Sequence, residues 1–258
     1  MLSDLYTELG LHSDLREEVE AVWTSVSDRM GSYRVLPDGR SDIIVKFKIW
    51  REQVIDLTVV ITGPIMRFYD VPIELGMGFV GVRLRPGFFE RVLGFEPAGL
   101  VNENLTGVDA LAACPDLKCL YAPAQSQNEL ITRLTDFVRR RAAASRFEPS
   151  PLSRSVISAF HAAGGRLRVH EIADMHGICE RTVQRLVFKA TGLTPKAFAA
   201  ILQFHRALRL LRDHHLSPAE AAVEAGYADQ PHMSRVFRRM GGFSPARLPD
   251  VTLISFRY

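Results

Sequence analysis

Arg181, Gln184 and Arg185 follow one another at i, i+3 and i+4, the spacing that puts three side chains on one face of a helix. An arginine fork fits guanine O6 and N7 and a glutamine amide fits adenine N6 and N7, so such a face suits the major groove of a duplex. Thr182 stands beside them. A second set, Gln230, Pro231, Ser234 and Arg235, repeats the face about 50 residues later and is followed by Arg238 and Arg239. Pro231 brings neither donor nor acceptor, so this second set is expected to discriminate bases less and to rely more on phosphate contacts from Arg238 and Arg239. Elsewhere, Arg83 and Arg85 alternate with Val82 and Leu84 just before Pro86-Gly87. A strand there would put both guanidiniums on one face beside a helix start, an arrangement that suits an anionic ligand. The simpler reading is a solvated face, or charges spent on Asp38 and Asp42.

Other chemistries lack their residues. The sequence has no Gly-rich phosphate loop and no Gly-x-Ser-x-Gly, and Cys114 and Cys119 flank Pro115-Asp116 with no histidine near them, so no catalytic nucleophile is expected. Three cysteines cannot build a disulfide framework, and all three, Cys179 included, read as free thiols. His12 is the only histidine before residue 150, which argues against a histidine-rich metal site in that half. No cofactor and no metal are expected. No apolar run approaches the roughly 20 residues that cross a bilayer, and Met1-Leu-Ser-Asp-Leu-Tyr6 carries no apolar leader core, so a cytoplasmic protein without a membrane partner is expected.

The two reading faces need helices to carry them, and the surrounding residues supply the pattern twice. Glu171, Ala173 and Gly177 recur as Glu220, Ala222 and Gly226 at an offset of 49, while Arg185, Gly192 and Thr194-Pro195 recur as Arg235, Gly242 and Ser244-Pro245 at an offset of 50. A small residue where two helices meet, a glycine turn and a second helix with a polar outer face make a helix-turn-helix. Ile178 and Tyr227 plug the turns, and Val183, Leu186 and Val187 in one copy and Met233, Val236 and Phe237 in the other point inward. Asp229 is suited to cap the second reading helix, whereas Cys179 holds that place in the first, which should fray more easily. Pro195–Asp213 joins the copies as one helix of about 28 Å, near the roughly 34 Å between successive major-groove faces. Helices are expected over 152–163, 169–175, 180–190, 195–213, 218–225 and 230–240, with a short final turn at 245–248.

Charge follows the same division. The 258 residues carry a net +3 with 47% hydrophobic and 24% charged residues, but residues 150–258 hold 15 Lys+Arg against 8 Asp+Glu and seven of the eight histidines, leaving a negative balance for the remainder. A basic half on a mildly acidic half suggests a polyanion-binding module carried by a different one.

Before residue 150 the pattern is mixed. Asp4–Leu11 and Asp14–Val22 read as helix-like stretches, and strands are expected at Tyr33–Pro37, Ser41–Trp50, Val54–Ile61 and Phe79–Leu84, with an Asp38-Gly39 turn. The strands come without long helices between them, which predicts a small sheet or barrel rather than an α/β unit. Phe88–Leu93 and residues 128–144 read as helices; the second carries an apolar stripe of Leu130, Ile131, Leu134, Phe137 and Val138, suited either to a homodimer or to packing on its own domain. Residues 146–151 read as linker. The expected fold class is α+β: residues 1–145 a sensing or dimerising domain with a β-rich core at about 33–105 and flanking helices, and residues 152–258 an all-α domain of two helix-turn-helix units joined by a long helix.

Residues 152–248 resemble the DNA-binding domain of the AraC/XylS family of bacterial transcription regulators, through Gln184-Arg185-Leu-Val-Phe-Lys-Ala-Thr-Gly-Leu-Thr-Pro195, the Ala225-Gly226-Tyr227 turn and Phe237-Arg-Arg-Met-Gly-Gly-Phe-Ser-Pro245. Residues 33–105 resemble, more faintly, an N-terminal module of some such regulators, through Arg34–Val45 and Gly81–Phe88. The resemblance implies a sequence-specific regulator that is not an enzyme, with double-stranded DNA and RNA polymerase as partners, and an N-terminal domain that senses a small-molecule effector or forms a homodimer. The alternative is an enzyme or a ligand-free interaction domain at the N-terminus, with the helical half as its DNA-targeting module.

Overall fold

In the computed structural model, described for residues 6–11, 13–249 and 253–254, a sheet-rich half packs directly against a helical half. The first half runs β1 (Thr7–Leu9), a 3-10 turn at Ser13–Leu15, β2 (Val19–Val26), β3 (Gly31–Val35), β4 (Ser41–Trp50), β5 (Gln53–Thr62), β6 (Tyr69–Ile73), β7 (Met77–Leu84), α1 (Phe89–Leu93), β8 (Asn104–Thr106), α2 (Val108–Ala113) and α3 (Gln127–Ala144). Six strands form one sheet in the order β1-β2-β7-β4-β5-β8, and β3 pairs with β6 in a second, smaller sheet. A short β9 (Leu253–Ile254) adds to β3 in parallel.

Alternation sorts the large sheet's two faces. Ile43, Val45 and Phe47 of β4 and Val80, Val82 and Leu84 of β7 lie on the face that α1 and α3 cover, in one buried cluster with Leu130, Leu134, Phe137 and Val138. The apolar stripe of α3 is therefore consumed inside its own half. The opposite face, with Trp23, Asp42, Ile44 and Phe79, looks toward the small sheet. Gly81 lets Trp23 lie across β7: a Cβ there would sit 2.1 Å from the indole. The β4–β5 hairpin closes on Arg51-Glu52, both at positive φ of 48° and 65°, the backbone that a two-residue hairpin turn demands.

Two expectations for this half need correction. Thr7–Leu9 and Val19–Val26 are strands, not parts of two helices, and residues 4–5, where the first of those stretches begins, lie outside the described residues, as does His12. The cause is tertiary: β2 is hydrogen-bonded on both sides, to β1 and β7, and β-branched Val19, Val22, Thr24 and Val26 suit that pleated setting. The β-rich region thus begins well before residue 33.

The helical half contains α4 (Pro151–Ala162), α5 (Val169–Met175), α6 (Glu180–Thr191), α7 (Pro195–Arg212), α8 (Pro218–Glu224) and α9 (Gln230–Met240). Its core gathers Phe160, Phe198, Phe204 and Phe237, with the Phe204 and Phe237 rings 4.9 Å apart. The residues expected to make a final helical turn instead make a bend closed by a bridge from Ser244 to Arg247. No helix among the described residues is long and apolar enough to cross a membrane.

One segment of the sheet half belongs to the helical core. Leu36 is fully buried within the core cluster of the helical half, the Pro37 carbonyl accepts from His205 Nε2 at 2.5 Å, and Gly39, at φ +69°, lies against the Phe198 ring. Two backbone hydrogen bonds add to this seam: Gly87 N donates to Ala190 O at 2.8 Å, and Phe68 N donates to Met240 O at 3.0 Å.

Candidate nucleic-acid interface

The duplication read in the sequence is a duplication of hydrogen bonds. In the first copy the Glu171 carboxylate accepts from Arg168 N at 2.6 Å at the start of α5; in the second, Glu220 accepts from Ser217 N at 2.9 Å at the start of α8 while Ser217 Oγ accepts from Glu220 N at 3.3 Å. The Ser217 hydroxyl also donates to the Glu220 carboxylate at 2.7 Å, and this bond, then that from Ser217 N, holds the carboxyl below its ordinary range. Each of α5 and α8 then ends at a glycine in the left-handed region, Gly177 at φ +62° and Gly226 at φ +80°, where L side chains are strained. Past each glycine the chain turns back through the same bond: Ile178 N donates to Ala173 O at 3.0 Å and Tyr227 N to Ala222 O at 2.9 Å. Ala173 and Ala222 are buried at the helix crossing.

The reading helices follow, differently capped. On α9, Asp229 Oδ1 accepts from His232 N at 2.5 Å, and Pro231 sits in the first turn, where a missing N–H costs nothing. On α6, Cys179 makes no side-chain cap; its exposed sulfur meets Thr182 Oγ1 at 3.3 Å. That contact, with backbone N–H groups of the helix start, lowers the Cys179 thiol pKa below its usual value.

Val183 and Val187 of α6, and Met233, Val236 and Phe237 of α9, are buried as expected. That orientation leaves Arg181, Gln184 and Arg185 exposed together on α6, with Thr182 half-buried at their edge, and Gln230, Pro231, Arg235, Arg238 and Arg239 exposed on α9, with Ser234 half-buried. Arg238 continues the stripe of Ser234 and Arg235 one turn on, at i+4 and i+3. The two helix-turn-helix units are joined by α7, whose 18 residues extend about 27 Å.

The C-terminal ends of both reading helices are the ends tied to the sheet half: Ala190 and Met240 carry the accepting carbonyls of the seam, and Lys189 approaches Glu90 at 3.5 Å. Their N-terminal turns remain open.

The two arginines considered for an anion do not form a joint site. Arg83 is 1% exposed and lies between carboxylates, its Nε 3.7 Å from Asp42 and 4.0 Å from Asp38, with Nη2 donating to the Tyr6 hydroxyl at 2.9 Å. Arg85 lies beyond the end of β7, exposed, and donates to Arg16 O at 3.0 Å. The strand ends between them, so the alternation that would have aligned them is lost. The simpler expectation, pairing of Arg83 with Asp38 and Asp42, is the one observed. Burial pushes the Asp42 carboxyl up to about 6 despite the opposing Arg83 charge, and it also raises Asp38.

Sequence reasoning passed over the seam residues Leu36, Pro37 and His205. A signal existed: Leu36 breaks the alternation of Tyr33 and Val35 and is followed by a proline, the mark of an apolar residue leaving a sheet rather than continuing it.

Comparison with known proteins agrees with this division. Residues 172–249 match a helix-turn-helix domain family, and residues 12–106 match a domain family of unknown function. The HTH-type transcriptional activator RhaS of Escherichia fergusonii is 38% identical over 77 residues, 30% of this chain and 28% of that protein, so the chain matches only about a quarter of that relative's length. Among solved structures, the DNA-binding domain of AdpA, a global transcriptional factor in complex with a target DNA, is 28% identical with a TM-score of 0.34 and covers 38% of this chain and 87% of its own. ToxT from Vibrio cholerae is 9% identical with a TM-score of 0.44, covering 87% and 96%.

Proposed function

We propose that this chain, whose C-terminal half carries an AraC-type tandem helix-turn-helix, is a one-component bacterial transcription regulator. Residues 152–258 read double-stranded DNA, residues 146–151 link, and residues 1–145 sense a small-molecule effector or bring two copies together. One monomer spans two successive major grooves, α6 specifying sequence through Arg181, Gln184 and Arg185, and α9 mainly anchoring through Arg235, Arg238 and Arg239. Bound at a promoter, the protein acts by positioning or releasing RNA polymerase. It works in the cytoplasm, where its DNA is, and performs no chemistry of its own.

The observation that carries this is the pair of equivalent faces: α6 and α9 each follow a glutamate-capped helix, a glycine turn and the same return bond, and each presents arginine beside an amide or hydroxyl to solvent. A mobility-shift series on genomic duplex fragments at 50 to 200 mM salt tests it. Neutralising six to ten phosphates costs about 10³ to 10⁵ in affinity across that range, so a steep loss is expected; no shift at low salt on any fragment contradicts the proposal.

A further inference from the structure

Between the large and small sheets lies a pocket with a cavity of about 80 Å³, which opens through its mouth into about 660 Å³ of empty space. Trp23, Tyr69 and Phe79 give it aromatic walls and Ile44 an aliphatic floor. Two hydroxyls, Ser25 Oγ and Tyr33 Oη, belong to lining residues that are only 3% exposed, and neither makes a hydrogen bond among the described residues. Buried hydroxyls without partners lose the hydrogen bonds that water would give them, and native interiors rarely leave them so. A mostly apolar pocket with a few polar atoms in its lining has the make-up of a small-molecule site.

Charge decides what kind of molecule. Each ionic group nearest the pocket has a partner within the chain: Arg40 pairs with Glu20 through Nε at 2.5 Å, Arg83 lies among Asp38, Asp42 and Glu8, and Trp23 Nε1 donates to Asp42 at 2.9 Å. An anion entering here would meet these carboxylates, and an ion of either sign would compete with partners already in place. A neutral aromatic ring with one hydroxyl or carbonyl would stack on the walls and satisfy Ser25 and Tyr33 together.

The pocket wall also has a second attachment. Asp38 and Arg40 line it, and they flank Gly39 in the segment whose Leu36 is buried in the helical core and whose Pro37 carbonyl is held by His205 of α7. We propose that this pocket binds a small, neutral, ring-containing molecule with one hydroxyl or carbonyl, and that Leu36–Arg40 passes its occupancy to α7, the helix that sets the distance between the two reading helices. The second half rests on the DNA-reading function proposed above; the first does not.

Isothermal titration of the full chain with 2-naphthol, with 2-naphthoate as the anionic counterpart, tests the site. One 2-naphthol is expected per chain, with naphthoate at least about tenfold weaker. Tyr33→Phe and Ser25→Ala, which keep the shape of the walls, should each weaken binding about three- to tenfold, the worth of one neutral hydrogen bond. Val71→Trp, which fills the pocket from β6, should abolish it. No binding of 2-naphthol, or equal binding to the Val71→Trp chain, overturns the site. Amide hydrogen exchange with and without 2-naphthol reads the transmission: slower exchange in residues 38–40 and 201–208 is expected, and unchanged exchange in both segments at saturation overturns it. Neither measurement uses DNA, so a failed DNA experiment leaves both results standing, and a failed titration leaves the DNA reading standing.

Discussion

His205 Nε2 donates a hydrogen bond to the Pro37 carbonyl oxygen at 2.5 Å, although 168 residues separate them. Only a donor can serve a carbonyl, so the imidazole is held in the Nε2-protonated tautomer. Both groups are buried, and the bond joins the helix between the two helix-turn-helix units to the segment that leaves the small sheet. His205→Leu keeps the volume but strands the carbonyl, and a loss of about 1–3 kcal/mol is expected in denaturant unfolding. His205→Gln, which restores a donor, should recover a good part of it. Equal losses in the two variants would show that the bond contributes nothing beyond packing.

The same histidine sets an acid limit. Burial holds His205 down at about 3 and His161, with Arg40 nearby, at about 4. A histidine whose folded pKa lies below its unfolded value near 6.5 gives stability that is complete above pH 6.5 and lost as pH falls toward the folded value. Asp42, raised to about 6, works in the opposite direction: its penalty is full above pH 6 and relieved below. The histidine share is isolated by difference. Between pH 7 and 4.5 the melting temperature of His205→Gln should fall less than that of the unsubstituted protein, and parallel curves would contradict this.

Arg83 and Arg85 should separate sharply. Removing the buried Arg83 leaves Asp38 and Asp42 facing each other without their cation, so Arg83→Ala is expected to cost about 3–5 kcal/mol. Arg85→Ala, at an exposed position, should stay within about 0.5 kcal/mol. Chemical denaturation of the two variants decides this, and comparable losses would refute the assigned environments.

Cys179 is a weak cap on the first reading helix. Cys179→Ser places a good acceptor at that position and should stabilise the protein by about 0.5–1 kcal/mol, with slower amide exchange in the first turn of α6. A lower melting temperature would mean that the Thr182 contact already serves as the cap.

The helical half was legible because its signals are local. Gly177 and Gly226 need positive φ, Glu171 and Glu220 cap their helices from three residues inside, and Val183, Val187, Met233 and Phe237 follow a 3.6-residue period; each survives in the structure within a residue or two. The sheet half was legible only in part. Val19–Val22 is read wrongly as helix from its own residues because its strand character comes from partners on β1 and β7. The apolar stripe of α3 announces burial but not the surface that buries it. Arg83 and Arg85 do not share a face because alternation holds only while the strand lasts, and β7 ends at Leu84. The pocket hydroxyls of Ser25 and Tyr33 are invisible in sequence, since they converge from different sheets.

The central claim is that α6 specifies and α9 anchors. Selection of the full chain on a random-sequence duplex library tests it most directly, run in parallel with Arg185→Ala and Arg235→Ala. Two enriched elements about 10 base pairs apart are expected, the one read by α6 the more sharply defined. Arg185→Ala should relax that element by about 1–3 kcal/mol per contacted base, while Arg235→Ala should weaken binding with little change in preference. Enrichment of a single element, or of none, or sharper definition under α9 than under α6, would contradict the account.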